Sequence, residues 1–191
     1  MAGPSDPAST FLHNVVPWTS YVSIEAYEWV PVPGTMPEEA RGSLKRKGSR
    51  ACRDLNEALN YVRWQEREGR EVYFRTAAMR QPGVAKVDKR GLTYYTSLGS
   101  DAANAALQQG FHVDVDVKPK AHASLQEGQA AVMAMCHAID LPRPSLIVYS
   151  GGGGFHAHWV LKEPIPTAQW RPLAYALAAA CRAHGVHADH N

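Results

Sequence analysis

The sequence predicts a mixed α/β (α+β) fold, in which a βαββαβ unit with its helices on one face of the sheet packs against an N-terminal α/β unit. Three observations carry this expectation. Between residues 111 and 184 the apolar pattern changes between a period of two and a helical period in the order β-α-β-β-α. Pro142, Pro144, Pro164, Pro166 and the glycines 151–154 fall at the boundaries of those segments. Gly185 closes the second helix, and a last strand is due where the sequence reaches Asp189-His190-Asn191.

Residues 1–18 are expected to form a loose lead-in, and 19–110 the N-terminal α/β unit. Residues 31–50 hold prolines, glycines and the basic run Arg41 to Arg50, which reads as a solvated loop. Residues 53–68 place Leu55, Leu59, Tyr61 and Val62 on a helical stripe that Gly69 ends. Glu71 to Thr76 alternates as a strand. Residues 78–91 read as a polar loop with Arg80, Lys86, Lys89 and Arg90. The alanine-rich stretch 101–109 reads as a short helix closed by Gly110.

Residues 111–191 form the second unit. Its first strand is 111–117. Ser124 and Glu127 match a capping box, and the helix they open runs to about Ile139 with Val132, Met133 and Cys136 inward. Strands follow at 145–149 and 155–161, separated by the glycine turn. A second helix runs from Ala168 or Trp170 to His184, with Pro172 tolerated near its first turn. The sequence is expected to end before the last strand of this unit is complete. In the usual order of a βαββαβ sheet the first and third strands lie side by side. The strand of Asp114 and Asp116 is therefore expected beside the strand of His156.

The 191 residues suffice for one large domain or two small packed units without disulfides. Lys and Arg number 20 against 18 Asp and Glu, a net charge of +2 that neither demands nor excludes a nucleic-acid partner. Cys52, Cys136 and Cys181 are odd in number and far apart, so they read as buried free thiols of a reducing compartment. No apolar run is long enough for a membrane span, and the first residues lack a signal-peptide pattern. A cytoplasmic protein with no membrane partner is expected.

Chemistry concentrates in two segments. In His112-Val113-Asp114-Val115-Asp116-Val117-Lys118 the aspartates share one face of a strand about 7 Å apart, and the valines take the other. Two such carboxylates stay ionised together only with a cation or basic group between them. Magnesium accepts one or two carboxylates plus waters and substrate phosphates, which this pair can offer. Asp189 is the candidate third carboxylate. The second segment is Ser150, four glycines and Phe155-His156-Ala157-His158-Trp159. The amides of Gly152 and Gly153 can cradle phosphate, Ser150 and Lys118 can bind phosphate oxygens, and His156 can donate to a triphosphate. His158 shares the face of His156, and Trp159 points to the core. Arg75, Arg80, Lys86, Lys89 and Arg90 could line a phosphate-contacting groove. Cys181, His184, His187 and His190 recur every third residue, as zinc ligands can, but Gly185 breaks the helix within the run, so they need not converge.

With Asp114-Val115-Asp116 and Ser150 through Trp159 in view, the chain resembles the archaeo-eukaryotic primase superfamily, and most of all the primase-polymerases of phages and plasmids. Asp114 and Asp116 match its acidic first motif. Ser150, the glycines and His156 match the second, and Asp189 the acidic third. Val72 to Arg75 with the loop to Arg80 looks like the strand that precedes the catalytic unit. The resemblance covers residues 55–191 and is most specific at 111–160. The glycine run is one residue longer than the family pattern, and the arginine-bearing strand that follows the third motif has no counterpart here. The resemblance implies a primase-like core with an RRM-like catalytic unit. It implies template-directed nucleotidyl transfer from ribo- or deoxynucleoside triphosphates on single-stranded DNA. Asp114, Asp116 and Asp189 would hold two Mg²⁺ or Mn²⁺ ions. His156, with Ser150, Gly152, Gly153, Lys118, His158 and Arg80, would hold the nucleotide. A replicative helicase domain or partner is also implied.

Two other readings use parts of the same pattern. His156-Ala157-His158 with Tyr175 fits a replication-initiator or relaxase nuclease with a tyrosine nucleophile. An RRM-like nucleic-acid-binding module without catalysis needs exposed sheet aromatics, where this sequence puts aspartates.

Overall fold

A computed structural model describes residues 7–30, 43–98, 103–149 and 153–189. The architecture is mixed α/β with an antiparallel sheet, and the chain divides into two compact units, Met1–Leu107 and Gln108–Asn191. No helix among the described residues is long and apolar enough to cross a membrane.

The N-terminal unit comprises α1 (Pro7–Val15), β1 (Tyr21–Val30), β2 (Ser43–Cys52), α2 (Leu55–Arg67), β3 (Glu71–Met79), β4 (Ala85–Val87) and β5 (Thr93–Tyr95). Its strands run in the order β4-β5-β2-β1-β3. Strand β1 is central, and its alternate residues Val22, Ile24 and Ala26 are fully buried, with Ala58 and Tyr61 of α2 packed against the same core. Helix α2 begins where Asp54 Oδ1 accepts the Glu57 N–H at 2.8 Å and Glu57 returns the bond to the Arg53 N–H at 3.0 Å. Gly69 ends it at φ +70°.

Three segments of this unit differ from the sequence expectation. The lead-in holds a helix, α1, because Leu12 and Val15 are buried and Phe11 meets Phe74 edge-to-face at 5.4 Å. Residues 31–42 of the expected loop lie outside the described residues, and from Ser43 onward the basic run is instead β2, paired with β1 from Val22↔Cys52 to Val30↔Ser43. Its charges are tolerated because β1 carries partners: Arg46 lies 3.3 Å from Glu25, and Lys47 pairs with Glu28. The polar loop at 78–91 contains β4, hairpinned to β5 by Asp88, whose Oδ1 accepts from Arg90 and Leu92 N–H groups at 2.8 and 3.0 Å.

The second unit comprises β6 (Ala105–Val115) from Gln108 onward, α3 (Leu125–Ala138), β7 (Leu146–Tyr149), β8 (Phe155–Pro166), α4 (Thr167–Ala183) and β9 (Ala188–Asp189). Strand β9 pairs with β6, β6 neighbours β8, and β8 pairs with β7. The helix expected at 101–109 is a correction: from Ala105 onward this stretch is strand. Alanine favours helix, but pairing decides here. Gly110 lets the β8 backbone in so closely that a Cβ would stand 2.2 Å from the Trp159 carbonyl oxygen.

The core of this unit gathers Val113 and Val115 of β6, Val132, Met135 and Cys136 of α3, Phe155, Ala157 and Trp159 of β8, and Cys181 of α4. Met135 rather than Met133 takes the fully buried place on α3. Ser124 and Glu127 form their cap, with Ser124 Oγ accepting the Glu127 N–H at 3.1 Å. Both helices thus cover one face of the sheet, the face of the valines. All three cysteines are buried and free, and burial pushes each thiol pKa up, so they pack as small apolar groups.

Candidate functional site

Alternation along β6 decides which side chains reach the open face. Val113 and Val115 point into the core, so Asp114 and Asp116 point away from it, with side chains 44% and 32% exposed. On β8 the same rule buries Phe155, Ala157 and Trp159 and turns His156 and His158 to the opposite face. Because β6 and β8 are neighbours, His156 Nε2 comes to 3.3 Å from Asp114 Oδ1. Asp116 Oδ2 accepts from Lys118 Nζ at 2.7 Å. The Lys118 ammonium thus neighbours Asp116, and the His156 imidazole neighbours Asp114.

The backbone of β9 places the third acidic residue. Asp189 stands in register with Asp114, and Ala188 with Val115. One residue earlier than β9, the His187 carbonyl accepts the Asp116 N–H at 3.1 Å.

The open face also carries three histidines. His158 is buried, and its ring stacks on His112 with centroids 5.3 Å apart. His156 lies 6.2 Å from His158 and 6.5 Å from His112 by the same measure. Burial, then the neighbouring His112 and His156, pushes the His158 pKa down to about 3. Desolvation among these rings, then His156, holds His112 below the ordinary imidazole value, and Asp114 opposes the shift. His158 thus favours its neutral form, beside His156 on the same face of β8 and stacked on His112. His112 escaped sequence reasoning, although its signal was there: it continues the period-two face of Asp114 and Asp116.

Of the other expected residues, Gly153 has φ +95° with open space around it, a conformation that keeps glycine in the turn. Ser150 and Gly152 lie outside the described residues. Arg80 belongs to the N-terminal unit, exposed at the end of β3, with its N–H donated to the Asn104 carbonyl at 2.8 Å. Lys86, Lys89 and Arg90 are exposed on the β4–β5 hairpin, and Arg75 lies 4.0 Å from the buried Glu25.

Among the described residues no three or more His, Cys, Asp or Glu side chains gather as a metal cage, and this holds for Cys181, His184 and His187. The donor set on the open face is two partly exposed carboxylates. Such a set suits a hard cation that keeps several of its waters, as magnesium does. Tyr175 is exposed on α4, the helix that packs through Cys181 on the valine side of the sheet, across from His156.

Comparison of the chain with protein-family models, curated proteins and solved structures gives no match.

Proposed function

We propose that this chain is a primase-polymerase core that builds or extends a primer on single-stranded DNA from ribo- or deoxynucleoside triphosphates. The supporting observation is the open face of β6 and β8: Asp114 and Asp116 side by side, His156 3.3 Å from Asp114, and Asp189 in register opposite Asp114. The second unit, with its β6-α3-β7-β8-α4-β9 order and helices on one face, is read as RRM-like, and the N-terminal unit as its α/β companion.

In this reading Asp114, Asp116 and Asp189 hold two Mg²⁺ or Mn²⁺ ions. When bound, the ions lower the pKa of the attacking 3′ hydroxyl and stabilise the leaving pyrophosphate. His156 binds the triphosphate, and release of its contact with Asp114 frees Nε2 to donate to a phosphate oxygen. His158, held neutral beside it, fixes the ring. Gly153 and its turn approach the phosphates, and Lys118 exchanges Asp116 for a phosphate oxygen. The basic residues Arg80, Lys86, Lys89 and Arg90 contact the nucleic-acid backbone without reading sequence. A helicase domain or partner would supply unwound template.

The test is incubation with single-stranded DNA, labelled triphosphates and Mn²⁺ or Mg²⁺, with and without a primer. Product without primer means priming, and product only with primer means polymerisation. No product under either condition, with wild-type and Asp114→Asn proteins indistinguishable in Mn²⁺ binding, would sink the reading.

A further inference from the structure

His122 lies in the loop between β6 and α3 and is 3% exposed, yet it belongs to neither the acidic pair nor the nucleotide-binding set. Its Nε2 accepts the His187 N–H at 3.1 Å. The His187 carbonyl, in turn, accepts the Asp116 N–H at 3.1 Å. His187 is therefore gripped on both polar backbone groups, by His122 on one side and β6 on the other. The next two residues, Ala188 and Asp189, are β9. Among the described residues that strand covers two positions, so the ladder seen there offers little to fix its register.

We infer that His122 is a positioning residue, a latch whose unprotonated Nε2 sets β9 against β6 and so fixes Asp189 opposite Asp114. An imidazole that accepts at Nε2 carries its proton on Nδ1, and a second proton would convert the acceptor into a donor facing the His187 N–H. The latch then repels what it holds. The surroundings favour the neutral form. His187 faces the ring at 5.2 Å between centroids, edge to face. Glu127 of α3 is the acidic group that bears on it, and its carboxylate is already engaged with the Ala123 N–H at 2.8 Å. Two residues past the end of β6 the bridge partner is Val117, and Gly128 of α3 packs close enough that a Cβ there would stand 3.5 Å from the ring. Burial, then His187, lowers the His122 pKa, against a smaller opposing pull from Glu127.

The latch itself stands apart from the enzymatic reading; its consequence for metal binding rests on that reading. The test uses the full chain with ¹⁵N labelling and follows amide hydrogen exchange at His187 together with Mn²⁺ affinity. In His122→Leu, exchange at His187 should accelerate roughly five- to tenfold, the size of one lost hydrogen bond, while amides of α3 keep their protection. His122→Gln, whose Oε1 can accept in place of Nε2, should restore slow exchange and remove its pH dependence. In the wild type the same amide should open as pH falls below 6.5, the ordinary imidazole value. This arm needs no variant to fold. Unchanged exchange at His187 in His122→Leu, or pH-independent exchange in the wild type after correction for intrinsic rates, overturns the latch. Mn²⁺ affinity should fall with the opening of His187. A latch that opens as expected in a protein that synthesises nothing supports the latch and counts only against the polymerase reading.

Discussion

His156 Nε2 stands 3.3 Å from Asp114 Oδ1, a contact made across two neighbouring strands by side chains 39% and 44% exposed. A contact this open to solvent contributes about 0–1 kcal/mol to stability. Its value is positional, since it holds a donor and a carboxylate on one rigid surface. His156→Ala is expected to lower triphosphate incorporation by about 10²-fold, the usual cost of removing one charge-stabilising donor, with little change in Tm. Asp114→Asn should abolish both incorporation and Mn²⁺ binding. Primer-extension rates, Mn²⁺ titration and thermal melts report these separately. A His156→Ala protein as active as the wild type would remove the histidine from the site.

Lys118 competes with any cation for Asp116, because its ammonium already sits 2.7 Å from Oδ2. Removing it should tighten Mn²⁺ binding by roughly three- to tenfold, since a like charge leaves the site. Stability should change by less than about 1 kcal/mol, as the lysine side chain is 57% exposed. The same variant should raise the KM for triphosphate, which loses a phosphate partner. Calorimetric titration with Mn²⁺ checks the first part, and unchanged affinity would show that lysine and metal do not share the carboxylate.

Acid should destabilise the second unit before any carboxylate titrates. Three histidines on or behind its sheet, His112, His122 and His158, have pKa values lowered in the fold, each chiefly by burial. The unfolded chain therefore binds more protons than the folded one below 6.5, the ordinary imidazole value. Their contribution is fully present above that pH and is lost as pH falls, for His158 until about 3. Unfolding free energies from denaturant titrations between about pH 7.5 and 5 should drop steadily by a total on the order of a few kcal/mol. A flat profile would mean these rings are not held neutral.

The face bearing the site was the most legible part of the sequence, and the reason is physical. Asp-Val-Asp-Val on a strand leaves no choice of which residues are buried, because the side-chain period is two. The alternation of Phe155 to Trp159 likewise announced the strand that carries His156. What failed was local propensity against tertiary pairing. Ala105 to Gln109 carries alanines that favour helix, but the chain is drawn into β6, and Gly110, expected as a helix stop, is a point of strand contact. The basic run in β2 has no apolar alternation, and only the position of Glu25 and Glu28 on β1 explains why a strand tolerates it. The His122–His187 link joins a loop to a strand end and has no spacing rule by which to read it.

In the N-terminal unit two arginines fasten the edge hairpin. Arg50 lies 5.0 Å from the Tyr61 ring and 4.6 Å from Tyr94, and Arg53 lies 5.3 Å from Tyr21 and 5.2 Å from Tyr95. Tyr94 and Tyr95 are successive strand residues, so the two stacks grip β5 from opposite faces. The ladder between β2 and β5 is short, centred on Ala51↔Tyr95. Arg50→Ala should cost about 0.5–2 kcal/mol, and both Arg50→Ala and Arg53→Ala should speed amide exchange along Thr93–Tyr95. Lysine at either place should rescue only in part, since it lacks the planar face that stacks on a ring. Exchange at β5 unaffected by either alanine would show that the ladder alone holds the hairpin.

Gly110 links the packing of the second unit to its site. A Cβ there would stand 2.2 Å from the Trp159 oxygen, 3.1 Å from its carbonyl carbon and 3.2 Å from Val160 Cα, all backbone atoms of β8. None of these can swing aside as a side chain could. The position is also tied from the helix side, because Trp170 Nε1 donates to the Gly110 carbonyl at 2.8 Å and the Trp170 ring stacks on Phe111 at 5.7 Å. Gly110→Ala must therefore push β8 away from β6, at a cost of about 1–3 kcal/mol or more. The same displacement separates His156 from Asp114, so incorporation should fall further than the remaining folded fraction explains. Gly69→Ala is the control. At φ +70° in open space it meets only backbone strain of about 1–2 kcal/mol, and it lies in the other unit. Matched loss of stability with unequal loss of incorporation is the expected result. Equal activity per folded molecule in the two variants would mean that the spacing of β6 and β8 does not set the geometry of the site.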